Sequence, residues 1–150
     1  MITVKRTTSD DKDFGELVKL LDAFLAEIDG DEHAFYAQLN KTSLLKHAVV
    51  AYEDGVAVGC GAIKAFDDTA MEVKRMYTLP QHRGKGIARM VLSELEKWTA
   101  ELAYPYCVLE TGKQQVEAIA LYTKQGYVII PSYGQYVNVA NSICFQKKLN

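Results

Sequence analysis

The sequence predicts a mixed α/β fold, in which helices pack over a single β-sheet. Two kinds of apolar pattern indicate it. Several short runs alternate apolar and polar residues, as half-buried strands do, and longer runs repeat apolar residues at three- and four-residue steps, as amphipathic helices do. A chain of 150 residues, 49% apolar and 24% charged, can bury a sizeable core, and we expect one domain over 1–150.

The chain is predicted to begin with a strand over 2–6, where apolar and polar residues alternate. Ser9 then offers an N-cap oxygen, and the acidic residues after it suit the first turn of a helix. A core-facing stripe follows and is expected to end at Gly30. Its members are Phe14, Leu17, Val18, Leu21, Phe24, Leu25 and Ile28. A second, short helix is expected over 31–40.

Three antiparallel strands are expected next, over 47–52, 56–65 and 70–79. The Asp54-Gly55 pair between the first two is a strong signal for a hairpin turn. Pro80 ends the third strand.

Helices and strands alternate in the remainder of the chain. An amphipathic helix begins near Ile87, and strands are expected over 106–110, from Tyr127 and over 142–149. A further helix is expected over 114–125, because a glycine follows it as a typical C-terminal stop.

Charge and cysteine content exclude several function classes. The net charge of −2 gives no long-range attraction to nucleic acid or to an anionic membrane. Cys60, Cys107 and Cys144 lack the spacing of a zinc site or a redox pair, so we expect buried structural thiols and no metal. Neither an apolar leader nor a run of about 20 apolar residues is present, which favours a cytoplasmic protein.

A glycine-rich turn, HRGKGIA over 82–88, lies between the strand 70–79 and the next helix. In this arrangement, backbone N–H groups and the helix dipole converge on a phosphate group. Arg83 and Lys85 add positive charge, and Arg83 can present a planar fork to phosphate oxygens. No Lys-Ser/Thr pair follows Gly86, which argues against a P-loop, and the glycine spacing does not fit the dinucleotide-binding fingerprint.

The turn resembles the signature of the GNAT superfamily of N-acetyltransferases. Arg83, Gly86 and Ala88 match its R-x-x-G-x-A pattern, which in that family holds the pyrophosphate of acetyl-CoA. The resemblance extends from the hairpin at Val50 through EAIALYTKQGY over 117–127. It implies a six- to seven-stranded, mostly antiparallel sheet with helices on both faces and strands splayed around a cleft for acetyl-CoA.

The resemblance also implies contacts with the pantetheine arm, which would lie between the strands 70–79 and 106–110. The Met76 amide would point at the thioester carbonyl, and Met76 and Thr78 would bond the pantetheine amides like an added strand. Gln115 stands where relatives usually have Asn, and its longer amide can still bond the arm. The expected cofactor-binding residues are Met76, Tyr77, Thr78, Arg83, Gly84, Lys85, Gly86, Ile87, Ala88 and Gln115.

Acetyl transfer to an amine needs a base, because an alkyl amine with a pKa near ~10.4 is protonated at pH 7. Glu72 is the candidate, acting directly or through water, and Glu110 on the neighbouring strand is its competitor. Alternation places Glu72 on one face of its strand with Lys74, Met76 and Thr78, unless a bulge changes the phase. A Glu72–Lys74 pair on a solvated face is the alternative, and the resemblance favours the base.

Tyr122 is the candidate acid that gives a proton to the departing thiolate. The resemblance implies this role, since the Tyr of A-I-x-L-Y stands beside the cofactor sulfur in many relatives. The alternative is a core tyrosine on an amphipathic helix.

The resemblance places the acceptor pocket in two segments, 29–40 and 131–138. They carry four aromatic or titratable residues that could line a small pocket, and several acids that could attract a cation. The candidate substrate-binding residues are His33, Tyr36, Tyr133 and Tyr136. These features favour a small amine or an amino-acid-like acceptor, with a protein N-terminus or a lysine as the open alternatives.

The sequence therefore predicts an N-acetyltransferase, monomeric or homodimeric, that moves the acetyl group of acetyl-CoA directly to a primary amine in a ternary complex. The cysteines are not offered as nucleophiles. The alternative is a non-catalytic GNAT-like module that binds acyl-CoA and senses or regulates.

Overall fold

The computed structural model describes residues 1–29 and 45–149. The strands are β1 (Ile2–Thr7), β2 (His47–Glu53), β3 (Val56–Ala65), β4 (Ala70–Thr78), β5 (Tyr106–Gly112), β6 (Val128–Ile130) and β7 (Ser142–Lys148), and the helices are α1 (Lys12–Asp29), α2 (Ile87–Glu101) and α3 (Val116–Lys124). Short 3₁₀ turns occupy Pro80–His82 and Gly134–Tyr136. The short helix expected over 31–40 lies outside the described residues.

The strands form one seven-stranded sheet in the order β1-β2-β3-β4-β5-β7-β6. The pairs β1–β2, β2–β3, β5–β7 and β6–β7 are antiparallel, whereas β4 and β5 run parallel. The predicted fold class, a mixed and mostly antiparallel sheet with helices, is confirmed.

The described chain divides into two compact units. The first unit comprises Met1–Lys64 and Lys74–Leu95, and the second comprises Ala65–Val73 and Glu96–Asn150. Both β4 and α2 contribute residues to each unit.

Helices cover both faces of the strands in the first unit. On one face, Phe14, Leu17 and Leu21 of α1 pack into a core with residues of β2, β3 and β4. On the other face, a Cβ added to Gly59 would come within 2.7 Å of Ile87, and one added to Gly61 within 2.9 Å of α2 side chains. These glycines let α2 approach the sheet closely.

The Asp54-Gly55 turn between β2 and β3 has the predicted form. Asp54 has φ 51° and Gly55 has φ 87°, as the two central residues of a type I′ hairpin turn require. The prediction is confirmed, and it fixes Glu53 at the very end of β2.

The N-cap of α1 is Asp11, so the prediction of Ser9 was wrong. The Oδ1 of Asp11 accepts hydrogen bonds from the N–H groups of Asp13 at 2.8 Å and Phe14 at 3.1 Å. Ser9 serves another contact, because its Oγ accepts a hydrogen bond from the N–H of Leu45 at 2.9 Å. The run after Ser9 offers several cap oxygens, and the sequence alone does not distinguish among them.

Arg75 interrupts the regular geometry of β4. Its φ of 60° is uncommon for a residue with a side chain and marks an irregularity in the strand. Beyond it, Met76 and Thr78 approach the glycines of β3 on the α2 face. Arg75 bonds Asp22 of α1 at 2.9 Å, and Tyr77 belongs to the α1-facing core.

In the second unit, Met71 pairs with Cys107, whose Sγ lies 3.6 Å from the Oγ1 of Thr99 on α2, so Glu72 points away from α2. The prediction that Glu72 shares a face with Met76 and Thr78 is therefore wrong, because the irregularity at Arg75 changes the phase of the alternation.

Candidate active site

The glycine turn of the first unit follows the 3₁₀ turn and leads directly into α2. Gly84 and Gly86 both have φ 83°, a conformation that glycine adopts at little cost. A Cβ added to either glycine would meet no heavy atom within 4 Å. The backbone geometry, and not crowding, therefore requires glycine here, and the entrance to α2 is open at both positions.

The side chain of Arg83 is held beside this entrance. Its Nε–H donates to the carbonyl of Thr78 at 3.2 Å. Its guanidinium lies 5.3 Å from the ring centroid of Phe24 and 5.9 Å from that of Tyr77, within the range of cation–π attraction. Arg83 is thus oriented by β4 and α1 before any ligand arrives.

Several other predicted cofactor residues of the first unit have side chains that are buried or, for Met76, partly buried. Ile87 packs against Gly59, the sulfur of Met76 lies beside Gly61, and Tyr77 lies in the core under α1. Thr78 is also buried. Their contacts with a cofactor would therefore come from the main chain, as strand-like pairing requires.

Lys85 is engaged by a residue that sequence reasoning missed. Its Nζ lies 2.9 Å and 3.2 Å from the two carboxylate oxygens of Glu53. The Nδ1 of His82 lies 2.7 Å from the Oε1 of the same carboxylate. Glu53 stands 32 residues before Lys85, and only the sheet topology brings the two together.

The second unit contains the candidate base. Glu72 is 8% exposed, so the alternative of a solvated face is wrong for this residue. The hydroxyl of Tyr133 donates to its Oε2 at 2.7 Å. A buried phenol and a carboxylate thus share a charge-assisted hydrogen bond, although the two residues lie 61 positions apart.

Glu110 projects from the same face of the second unit's strands as Glu72. Glu72 pairs with Val108 in the β4–β5 register, and Glu110 follows Val108 by two positions. Paired residues and residues two apart point to one face of a sheet. The Oγ of Ser142 donates to the Oε2 of Glu110 at 2.6 Å, so each carboxylate has its own hydroxyl donor.

Tyr133 and Tyr136 lie beside these acids. Their rings meet edge to face, with centroids 5.7 Å apart. Burial raises the pKa of Tyr133 above its ordinary value, and the charge of Glu72 adds to the effect. Burial likewise raises the pKa of Tyr136, with contributions from Glu72 and Glu110. Both phenols therefore stay protonated and keep their capacity to donate.

A cavity of about 370 Å³ lies beside Tyr133, a volume in the range of small-molecule sites. Phe66 lines it and contacts the Tyr133 ring, with centroids 4.6 Å apart. Other lining residues are Asp67, Ala70, Tyr106, Val108 and Gln146. Tyr133 thus lines a small cavity, and its role in acceptor binding stays a prediction; His33 and Tyr36 lie outside the described residues.

Tyr122 is buried on α3. Its ring packs against Tyr127 and Phe145, with centroids 5.7 Å and 6.1 Å away. Burial raises its pKa above the ordinary value, and the charge of Glu110 raises it further. The ring has the packing of a core tyrosine, and its hydroxyl is within the electrostatic reach of Glu110. Gln115, the N-terminal flank of α3, is half-buried.

Comparison with known proteins decides the family. The model of the acetyltransferase (GNAT) family matches residues 14–127. The chain belongs to the GNAT family. A protein of Azospirillum brasilense named IAA acetyltransferase is 32% identical over 99% of this chain and 98% of its own length.

Solved GNAT structures share the fold. A Klebsiella pneumoniae protein assigned to the acyl-CoA N-acyltransferases superposes with a TM-score of 0.83 at 32% identity, over 100% of this chain and 99% of the other. A GNAT acetyltransferase of Elizabethkingia anophelis, crystallised with acetyl-CoA, gives a TM-score of 0.70 at 17% identity, covering 99% and 98%.

None of the described helices is long and apolar enough to cross a membrane. Within 1–29 and 45–149, no group of three or more His, Cys, Asp or Glu residues could hold a metal ion.

Proposed function

We propose that this GNAT protein transfers the acetyl group of acetyl-CoA directly to a primary amine of a small or amino-acid-like acceptor. The observation that supports the proposal is the open glycine turn at the start of α2. Gly84 and Gly86 face open space, and α2 begins at the next residue. Helix N-termini with such turns bind phosphate through backbone N–H groups and the helix dipole.

The turn would hold the diphosphate through the main chain from Arg83 to Ala88, and Arg83 would add charge from its fixed position. Beyond the diphosphate, the backbone of Met76 and Thr78 would pair with the pantetheine arm, together with the Gln115 amide. When bound, acetyl-CoA supplies an activated acyl group. The chain supplies binding, orientation and proton transfer.

Glu72 would accept the proton that the acceptor amine must lose before it attacks. Its burial and its bond from Tyr133 hold the carboxylate in one orientation, which proton transfer requires. Glu110 contributes a second negative charge on the same face. Two carboxylates favour the approach of a protonated amine over that of an anion.

Tyr122 would return a proton to the departing thiolate. Its raised pKa keeps the hydroxyl protonated across the physiological range, as a proton donor must be. The buried cysteines do not suit a covalent route, since burial raises the pKa of Cys60 to about 12 and that of Cys107 to about 11, and the thiolate is the nucleophilic form.

An acceptor screen that follows CoA thiol release tests this function. The panel contains small amines, amino acids, a lysine peptide and IAA, the compound in the name of the Azospirillum relative. Turnover with an amine is the expected result. Binding of acetyl-CoA without turnover on any acceptor would instead support a non-catalytic sensing module.

Paired carboxylate variants then assign the base. Glu72→Gln should lower kcat by at least about 10²-fold, as loss of a general base does. Glu110→Gln removes the same charge from the same face and should lower kcat by less than about tenfold. The reverse order would make Glu110 the base.

A further inference from the structure

One group of contacts at the glycine turn has no part in the function proposed above. Glu53, at the end of β2, receives Lys85 on both carboxylate oxygens at 2.9 Å and 3.2 Å, and His82 on Oε1 at 2.7 Å. We call these three residues the Glu53 cluster. It joins the last residue of β2 to the first residue of the turn, His82, and to the residue between the two glycines, Lys85.

The cluster has a defined charge arrangement. Hydrogen bonds from Lys85 and then from His82 lower the pKa of Glu53, so the carboxylate is ionised at neutral pH. An ionised carboxylate only accepts hydrogen bonds, which places the proton of His82 on Nδ1. The Oε1 of Glu53 therefore accepts hydrogen bonds from two donors, Lys85 Nζ and His82 Nδ1, which lie 3.5 Å apart.

The backbone of the turn needs such a restraint. Lys85 stands between two glycines with φ 83°, and glycine loses more conformational freedom on ordering than any other residue. No heavy atom lies within 4 Å of a Cβ added to either glycine, so neighbouring side chains do not hold the turn there. The side chain of Lys85 is hydrogen-bonded to Glu53, and Lys85 lies between the two glycines, where the backbone is least restricted.

We propose that Glu53 is a positioning residue that holds the glycine turn, through Lys85 and His82, in the conformation that binds the diphosphate of acetyl-CoA. The inference rests on the proposed function, since the turn must be the diphosphate site. A ligand that binds one conformation has its apparent affinity reduced by the fraction of molecules in that conformation. Losing Glu53 should therefore weaken binding without altering the chemistry.

If Glu53 competed with the ligand for Lys85, its removal would change the affinity for coenzyme A in the opposite direction. If Lys85 instead leaves Glu53 to contact phosphate, Glu53 competes with the ligand, and its removal tightens binding. Removal of a negative charge near an anion also tightens binding, but salt screens that effect. Salt also screens the part-exposed Lys85–Glu53 pair, so the sign of the change in Kd, an increase for positioning and a decrease for competition or charge, separates these roles.

The test is calorimetry with coenzyme A and steady-state kinetics with acetyl-CoA on the full chain. Glu53→Gln should raise the Kd of coenzyme A and the KM for acetyl-CoA about fivefold, in line with a part-exposed ion-pair network. The increase should not reverse in sign at high salt, and kcat should not change. Asp54→Asn, which removes the same charge from the adjacent residue, should behave like the wild type.

A double-mutant cycle tests whether Glu53 acts through Lys85. The variant that combines Glu53→Gln with Lys85→Met should lose less affinity for coenzyme A than the sum of the two single losses, and the loss that Glu53→Gln still adds comes from its contact with His82. A Glu53→Gln variant with unchanged or tighter binding, or additive losses in the cycle, would overturn the inference while leaving the proposed function intact. A wild-type chain that does not bind coenzyme A would overturn both.

Discussion

The hydrogen bond from Tyr133 to Glu72 is the residue-scale contact for which the proposed function predicts the clearest effect on catalysis. The phenol is buried, its pKa is raised, and it donates to the candidate base at 2.7 Å. Hydrogen bonds to charged groups contribute more than neutral ones, so their loss is measurable. Tyr133 thus orients Glu72 from a loop that the sequence assigned only to substrate binding.

Removing this hydroxyl gives the first prediction. Tyr133→Phe keeps the ring but removes the donor, and kcat/KM for the acceptor should fall about tenfold, the loss expected for a hydrogen bond to a charged group. The Kd of coenzyme A should not change. Phe66→Leu, which alters a ring contact of Tyr133 but leaves its hydroxyl, is the control. Equal losses in both variants would mean that packing, and not the hydrogen bond, matters.

Tyr122 gives the second residue-scale prediction. Tyr122→Phe preserves the packing against Tyr127 and Phe145, and turnover should fall about 10²-fold, the low end for a lost general acid. Steady-state kinetics and calorimetry should show little change in acetyl-CoA affinity. Equal losses of turnover and affinity would point to packing damage, and full activity would leave Tyr122 a core residue.

At the scale of the element, α1 depends on one N-cap side chain, Asp11, among several candidates that precede the helix in the sequence. Asp11→Ala should lower the free energy of unfolding by about 1 kcal/mol, because two backbone donors lose their acceptor. Asp10→Ala removes the same charge one residue earlier and should have little effect. Urea denaturation of the two variants measures the difference, and equal losses would show that charge alone is responsible.

The contribution of Asp11 to the free energy of unfolding should also depend on pH. Burial opposes its ionisation, but hydrogen bonds from Lys5 and from the N–H of Phe14 hold its pKa below the ordinary value. A carboxyl with a lowered folded-state pKa stabilises the protein above its unfolded-state pKa of about 3.9. The difference in the free energy of unfolding between wild type and Asp11→Ala should therefore shrink as the pH falls through the folded-state pKa of Asp11.

At the scale of the whole molecule, the sequence predicted the order and type of the described elements. Local signals were sufficient for them: Asp54-Gly55 for the hairpin, and apolar stripes for the helices. Contacts between distant segments were not predictable. The pairing of Glu53 with Lys85 and of Tyr133 with Glu72 depends on strand order and on one loop, and neither pair leaves a local pattern.

The burial of the cysteines is also a property of the whole fold. All three are free and buried, and burial raises the pKa of each thiol. Thiol reagents should therefore modify Cys60, Cys107 and Cys144 only after unfolding, as mass spectrometry can show. Incubation with acetyl-CoA alone should give no acetyl adduct on cysteine, and such an adduct would contradict direct transfer.

Calorimetric titration of coenzyme A into two variants of one glycine most directly tests the claim that the turn's main chain holds the diphosphate. Gly86→Asp places a carboxylate where phosphate should bind, whereas Gly86→Asn has nearly the same shape, tolerates positive φ and carries no charge. The account predicts that both variants fold, that Gly86→Asn binds coenzyme A with reduced affinity, and that Gly86→Asp does not bind it. Retained binding by a folded Gly86→Asp variant would contradict the account.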